Sequence, residues 1–206
     1  MKTYGYAALI PLAAVLAVAP AVAQNQSTPD ALVRAAVENV VTTIQSDPGT
    51  RSGDMAKITA VVEKQFLPYT DFQYTTKLAV GKAWADATPE QQQQLFKQFQ
   101  ALLVRTYALS LSQLREQNVK FSYKPMGKGG ANDMVVQTKV FANGEDMLID
   151  YRLTRSTNGW KIYDINMMGA WLIEVYRRQF NDIVARDGVA GLIKYLERHN
   201  ARAAAA

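Results

Sequence analysis

The strongest constraint on the fold is a change in hydrophobic periodicity near residue 119. From there to residue 166, apolar residues recur at every second position instead of every third or fourth, which predicts β-strands with alternating faces. Asn143-Gly144 and Asn158-Gly159 interrupt this pattern, and both dipeptides favour tight hairpin turns. The glycine-containing stretch 127–132 predicts a further turn. The sequence therefore predicts four strands joined as an antiparallel meander.

Helical periodicity brackets the meander on both sides. Six helices are predicted, over about residues 28–47, 54–66, 71–81, 88–114, 170–186 and 189–200. Thr28-Pro29 and Thr88-Pro89 place an N-cap before a proline at the first helical position, and Gln91 is spaced for a capping box. Helices, then a meander, then helices indicate an α+β fold. With no repeat and no internal linker, residues 24–206 form one domain, ordered over about 28–200.

The first 23 residues have the organisation of a secretory signal peptide. Lys2 precedes the apolar run 7–19, and Ala21-Val22-Ala23 after Pro20 is a small-x-small cleavage signal. We expect cleavage before Gln24 and export to the periplasm. An uncleaved anchor is the alternative, although the apolar run is short for a membrane span. No cysteine follows the cleavage site, which excludes a lipoprotein.

The charge balance is mildly basic. The full chain carries 23 Lys+Arg and 18 Asp+Glu, so loss of Lys2 with the leader leaves a net charge of +4. This suits work near anionic membrane surfaces. The basic residues are scattered rather than striped along one face, which argues against nucleic acid as a partner.

Residues for catalysis are scarce. The chain has no cysteine and a single histidine, His199, so the sequence contains no recognisable metal site or thiol nucleophile. Asp150 and Asp164 each adjoin a tyrosine on a strand, and a carboxylate base with a phenol donor could perform isomerase or hydratase chemistry on a cone-like roll. The alternative is that both carboxylates face solvent or cap local backbone.

Soft apolar residues are abundant beside the strands. Four methionines lie along or next to the predicted sheet: Met134, Met147, Met167 and Met168. Methionine fills irregular cores, and it also suits pockets that accept flexible chains. The strand 133–141 has apolar residues on both faces, so the sequence leaves open which face is covered.

An ordered set of short motifs over about residues 30–197 resembles the MlaC family, the toluene-tolerance group of periplasmic phospholipid-binding proteins. The motifs are Asp71-Phe72-Gln73-Tyr74, Ala79-Val80-Gly81-Lys82-Ala83-Trp84, Ala87-Thr88-Pro89-Glu90-Gln91, Leu103-Val104-Arg105-Thr106-Tyr107, Asp150-Tyr151-Arg152-Leu153, Gly159-Trp160-Lys161-Ile162-Tyr163-Asp164, Tyr176-Arg177, Gln179-Phe180 and Gly191-Leu192-Ile193. Arg178 departs from the small polar residue that the family often has. Met168 stands where many members carry Glu.

The resemblance implies a twisted antiparallel sheet wrapped by helices, with acyl chains in an apolar cavity between the two layers. It implies a non-enzymatic, monomeric carrier with phospholipid as cargo and no cofactor. The implied partners are an outer-membrane lipoprotein–porin complex and an inner-membrane ABC transporter with an MCE-domain subunit. The implied role is to maintain outer-membrane lipid asymmetry. A periplasmic adaptor whose interior is merely core is a further alternative.

We expect the cavity to be lined by one sheet face and the facing helices. The predicted lipid-binding residues are Tyr74, Leu78, Leu103, Tyr107, Val136, Val140, Ile149, Tyr151 and Met167. We expect no dedicated phosphate clamp, because Arg152 alternates away from this face and the long side chain of Arg105 can reach the surface.

Overall fold

The helical first half of the chain is organised by its caps. The computed structural model describes residues 28–126, 132–142 and 144–205. The Thr28 hydroxyl accepts from the amide of Ala31. The predicted capping box is confirmed, because the Gln91 amide donates to Thr88 Oγ1 at 3.3 Å and the Thr88 amide donates to Gln91 Oε1 at 3.0 Å. The predicted signal peptide, residues 1–23, lies outside the described residues.

Seven helices and five strands are present in the described ranges. They are α1 (Pro29–Ser46), α2 (Pro48–Arg51), α3 (Met55–Val61), α4 (Phe72–Val80), α5 (Ala83–Asp86), α6 (Pro89–Ser112), β1 (Lys120–Met126), β2 (Asp133–Ala142), β3 (Glu145–Ser156), β4 (Gly159–Met167), β5 (Ala170–Trp171) and α7 (Leu172–Ala205). A π-helical turn, Val62–Phe66, continues α3, and 3-10 turns span Leu67–Tyr69 and Gln113–Glu116.

The predicted α+β class is confirmed, with small differences in the helices. The one-turn helices α2 and α5 were not predicted, because a single turn is too short to show periodicity. The two closing helices form the halves of α7, which bends at Gly188, where φ is 66° and ψ is −173°. Glycine adopts this left-handed φ without the Cβ clash that other residues incur.

The sheet is an antiparallel meander in the order β1-β2-β3-β4-β5. Four strands were predicted, and the fifth is the short β5, which pairs Trp171 with Asn166. A two-residue strand is too short to show alternation, so the sequence predicted the start of a helix at these two residues. A turn through Met168 and Gly169, both with positive φ, separates β4 from β5. Strand β1 lies at the other edge.

A bulge in β4 changes which residues share a face. Arg152 pairs with Asp164 but Leu153 pairs with Ile162, so Tyr163 is an extra residue in β4. Uninterrupted alternation would place Ile162 with Asp164 on one face and Ile165 on the other. The bulge instead brings Ile162 and Ile165 into one apolar cluster and leaves Asp164 on the opposite face with Arg152.

The helices pack in two groups. Helix α6 packs mainly on α7, with further contacts to α3 and α4. Helix α1 lies across the sheet, and its first half contacts the strands through Leu32, Val33 and Ala36. Its second half contacts α3 and α6 through Val40 and Ile44. One helix thus joins the sheet to the helical layer.

Candidate functional site

The inner face of the sheet consists of parallel rows of side chains. Cross-strand pairing aligns Val136, Tyr151 and Ile165 in one row, and Thr138, Ile149 and Met167 in the next. Val140 pairs with Met147 one row further on. The five predicted sheet residues Val136, Val140, Ile149, Tyr151 and Met167 therefore share one face, which we call the inner face.

One end of the inner face is tightly packed. Val136 and Leu153 are fully buried and Tyr151 is 5% exposed, and all three belong to the cluster that includes Leu32 and Val33 of α1. Burial raises the pKa of the Tyr151 phenol far above its usual value. Each fully buried Leu or Val side chain contributes roughly 1.5–3 kcal/mol by its removal from water. This packed end forms the structural core of the sheet.

The opposite end of the inner face opens to the surface. Ile149 and Met167 are half-buried, and Met147 beside the β2–β3 hairpin is 37% exposed. Val140 is 3% exposed, so the inner face passes from buried to exposed within a single cross-strand pair. An apolar surface that continues from the interior to the outside is suited to an elongated apolar ligand. We call these residues, with Thr138, the open end.

The predicted helical residues Leu103 and Tyr107 lie in the other layer. Leu103 belongs to the cluster formed by α4, α6 and α7 around Phe99 and Phe180. Tyr107 packs at the margin of that cluster, where burial, with smaller contributions from Tyr176 and Asp164, raises the pKa of its phenol.

The apolar interior is divided into separate clusters. One joins α4, α6 and α7, a second joins α1 to the sheet, and a third joins α1, α3 and α6. Phe66, at the end of the π-helical turn, contacts both the second and the third. A domain of this size usually has one contiguous core. The division runs between the sheet and the α6–α7 layer.

Tyr74 lies apart from the other predicted site residues. Its ring packs on Tyr163 with centroids 5.2 Å apart, and the Tyr163 hydroxyl donates to Asp133 at 3.3 Å. Tyr163 and Asp133 belong to the outer face of the sheet, since Asp133 alternates with Met134 of the inner cluster. Burial, followed by the Asp133 charge, raises the pKa of Tyr163 to about 12.

Leu78 is held near α7 rather than over the sheet face. Its carbonyl oxygen accepts a hydrogen bond from Arg177 Nε at 2.8 Å, and its side chain is half-buried.

Asp164 has a structural role in the fold. Its Oδ1 accepts from the amides of Ile165 at 3.0 Å and Ile173 at 3.1 Å, and its Oδ2 lies 3.4 Å from Arg152 Nη1. The Ile173 amide belongs to the first turn of α7, so the carboxylate caps that helix. Burial raises the pKa of Asp164, although both amides and Arg152 oppose the shift.

The other groups required for isomerase chemistry are not brought together. Asp150 pairs across the sheet with Asn166 on the outer face, whereas the adjacent Tyr151 is in the inner cluster. Successive strand residues point to opposite faces, so this Asp and Tyr cannot act on one ligand. The Tyr163 phenol bonds to Asp133 instead of approaching Asp164.

The two arginines considered for a phosphate clamp have other partners. Arg152 stacks on the Trp171 ring at 3.8 Å and lies near Asp164 and Glu174 on the outer face. Arg105 Nη1 donates to the carbonyl oxygen of Asn200, which fastens α6 to the end of α7. Neither guanidinium is placed to bind a phosphate on the inner face.

A cleft lies at the far end of the sheet from the open end. It has a volume of roughly 500 Å³ and lies between the β3–β4 hairpin, the start of α4 and the middle of α6. Its lining includes Phe72, Phe96, Gln100, Asn158 and Lys161. Its mixture of aromatic and polar groups contrasts with the continuous apolar rows of the inner face.

The described residues contain neither a candidate membrane span nor a candidate metal site. Within residues 28–126, 132–142 and 144–205, no helix combines the length and hydrophobicity that a membrane crossing requires. The same ranges contain no grouping of three or more His, Cys, Asp or Glu that could bind a metal ion.

Residues 34–198 of this chain match the sequence pattern of the MlaC protein family. The intermembrane phospholipid transport system binding protein MlaC of Haemophilus influenzae is 25% identical over 177 residues, which cover 84% of this chain and 82% of the relative. A phospholipid-binding protein from Ralstonia solanacearum, solved in complex with a phospholipid, is 44% identical and superposes with a TM-score of 0.80, covering 85% of this chain and 98% of that one. The chain belongs to the MlaC family.

Proposed function

We propose that this chain is a phospholipid carrier that holds the acyl chains of its cargo against the open end of the inner face. The observation that carries the proposal is the likeness, along nearly the full length of the relative, to a protein solved with a phospholipid bound. The divided apolar interior supports it, because a ligand between the layers requires space that a contiguous core would fill.

The physical chemistry of the open end fits a lipid tail. Each CH₂ of an acyl chain that leaves water contributes about 0.8 kcal/mol, and no directional hydrogen bond is required to hold it. Methionine side chains adapt to flexible chains, and Met147 and Met167 lie where the inner face opens. Of the nine predicted residues, Val140, Ile149 and Met167 are those that we propose contact the tails at the open end.

We further propose that the chain works in the periplasm after removal of residues 1–23. Lipid would pass between an outer-membrane lipoprotein–porin complex and an inner-membrane ABC transporter with an MCE-domain subunit, which would maintain outer-membrane lipid asymmetry. No catalysis and no cofactor is part of the proposal. The placement of Asp164 as a helix cap disfavours the isomerase alternative.

Lipid extraction from the purified chain tests the proposal directly. The chain is exported in a bacterial host, purified without detergent and extracted with organic solvent, and the extract is analysed by mass spectrometry. Diacyl phospholipid in near-equal amount to protein is the expected result. Delipidated protein should reload from vesicles of phosphatidylethanolamine and phosphatidylglycerol. If it stays empty after both treatments, the carrier proposal is rejected and the adaptor alternative is favoured.

A further inference from the structure

The outer face of the sheet is covered along β4 and exposed over β1, β2 and the start of β3. At β4, the Tyr74 ring packs on Tyr163, and Glu174 of α7 approaches Arg152. Farther from β4, six outward side chains are exposed: Lys120, Ser122, Lys124, Lys139, Phe141 and Leu148. Cross-strand pairing and strand alternation place all six on one face. We call these six residues the exposed outer face.

Two bulky apolar side chains project side by side from the exposed outer face. Phe141 is 40% exposed and Leu148 is 52% exposed. Phe141 pairs with Asp146 and Leu148 pairs with Lys139, so the two apolar residues are diagonal neighbours, roughly 7–8 Å apart. The other diagonal is an ion pair, in which Lys139 Nζ lies 2.7 Å from Asp146 Oδ2. The carboxylate beside the apolar pair is therefore neutralised.

The remaining charge around the apolar pair is positive. Lys120 lies directly across from Phe141, and Lys124 projects from the same face of β1. Neither lysine has an ion-pair partner among the described residues. Asp150, which follows Leu148 on the same face of β3, is half-buried and contributes one negative charge. Two unpaired lysines against one aspartate leave an excess of positive charge.

We infer that the exposed outer face docks on the surface of an anionic lipid bilayer. Phe141 and Leu148 enter the interfacial layer, and Lys120 and Lys124 meet lipid phosphates. Apolar side chains flanked by lysines suit such a surface, because the long lysine stems let the ammonium groups reach phosphates while the apolar groups leave water. A fluid bilayer accommodates projecting side chains as they are, whereas a protein partner must supply a matching pocket for each anchor.

Docking through this face brings the open end close to the membrane. Phe141 and Leu148 alternate along β2 and β3 with Val140, Met147 and Ile149 of the open end, and successive strand residues point to opposite faces. The open end therefore lies one sheet thickness from the docked surface, which shortens the path of an acyl chain through water. This inference rests on the proposed carrier function and adds the surface that meets the source of lipid.

Flotation of the lipid-loaded chain with vesicles tests the inference. One set of vesicles is phosphatidylcholine alone, and the other is phosphatidylcholine mixed with phosphatidylglycerol. The wild type should bind the mixed vesicles more tightly, and high salt should weaken that binding. Lys120→Gln combined with Lys124→Gln should weaken binding to the mixed vesicles by about tenfold or more. Phe141→Ser combined with Leu148→Ser should weaken binding at both low and high salt, because burial of apolar surface is not screened.

Two matched controls carry the same kinds of substitution elsewhere on the surface. Lys194→Gln combined with Arg198→Gln removes two exposed charges from α7. Leu109→Ser removes an apolar side chain of α6 that is 60% exposed. Both controls should bind the mixed vesicles within about twofold of the wild type, since charges beyond a Debye length from the bilayer are screened. Circular dichroism verifies that every variant keeps the fold.

Each contrary outcome has a distinct meaning. Equal losses in the control variants and the variants of the exposed outer face overturn the assignment of this face, as does unchanged binding in both variants of the face. A wild type that loads phospholipid but floats with neither set of vesicles overturns the bilayer as the occupant, favours an acidic protein partner and leaves the carrier function standing. Failure to load phospholipid overturns the carrier function itself.

Discussion

The two ends of the inner face use the same kinds of residue for different purposes. At the packed end, Val136 and Leu153 meet α1 and are fully buried. At the open end, Ile149 and Met167 lie in the next row of the same face but are only half-buried. The difference arises from α1, whose first half covers one end of the sheet and whose second half turns to α3 and α6. Apolar surface therefore stabilises the fold at one end and remains available for a ligand at the other.

The largest effect that this comparison predicts is on stability at the packed end. Leu153→Ala should lower the free energy of unfolding by about 2–5 kcal/mol, because it leaves a cavity under α1. Leu148→Ala, at a residue on the same strand that is 52% exposed, is the matched control and should change it by less than about 0.5 kcal/mol. Urea denaturation of delipidated protein measures both. Equal losses in the two variants would contradict the assignment of Leu153 to the packed core under α1.

Tryptophan substitution tests the same contrast through lipid loading. Ile149→Trp should fill the open end, reducing phospholipid uptake more than about tenfold, or 1.4 kcal/mol, with the circular dichroism spectrum unchanged. Val136→Trp should instead overpack the sheet against α1 and destabilise the chain by about 1–3 kcal/mol. Normal lipid loading in Ile149→Trp would show that the tails lie elsewhere.

A smaller effect concerns the pH dependence of stability at the outer face. The native pKa of Asp164 is raised by burial, so the native state holds this proton more tightly than the unfolded chain, whose aspartates titrate near about 3.9. The contribution of Asp164 should therefore fall as pH rises from about 4 towards the native pKa. The difference in unfolding free energy between wild type and Asp164→Asn, followed from pH 4 upwards, should decrease. A constant or increasing difference would contradict the assignment.

The smallest predicted effect is on headgroup preference. Arg152 and Arg105 bind protein groups, so headgroups should be bound only by screened surface charge. Phosphatidylglycerol and phosphatidylethanolamine with matched chains should differ by less than about tenfold, and the preference for the anionic lipid should shrink at high salt. Competition between the two lipids at low and high salt measures this. A larger preference that persists at high salt would reveal a specific headgroup site.

The sequence was sufficient to predict the elements and the class of fold. Caps such as Thr88 with Gln91 act locally, and strand alternation is a local pattern as well. The β4 bulge at Tyr163 was missed because an extra residue in one strand shows only against its partner strand. The missed strand β5 depends on a turn at Met168, whose φ of 55° is unusual for a non-glycine residue.

The candidate site was only partly predictable. The shared face of Val140, Ile149 and Met167 follows from alternation and hairpin register. The placement of Tyr74 depends on how α4 lies along β4, where the Thr75 hydroxyl donates to the Tyr163 carbonyl oxygen at 2.6 Å. No local pattern encodes that contact.

The edge strand β1 has a consequence for self-association. Lys120, Ser122, Lys124 and Pro125 are all exposed along it, and the proline nitrogen carries no hydrogen to offer a new strand. Charged and proline residues at a sheet edge oppose pairing with another chain. Two molecules would therefore not pair through β1 to extend one sheet into the next, and concentrated solutions should resist fibril growth through this edge.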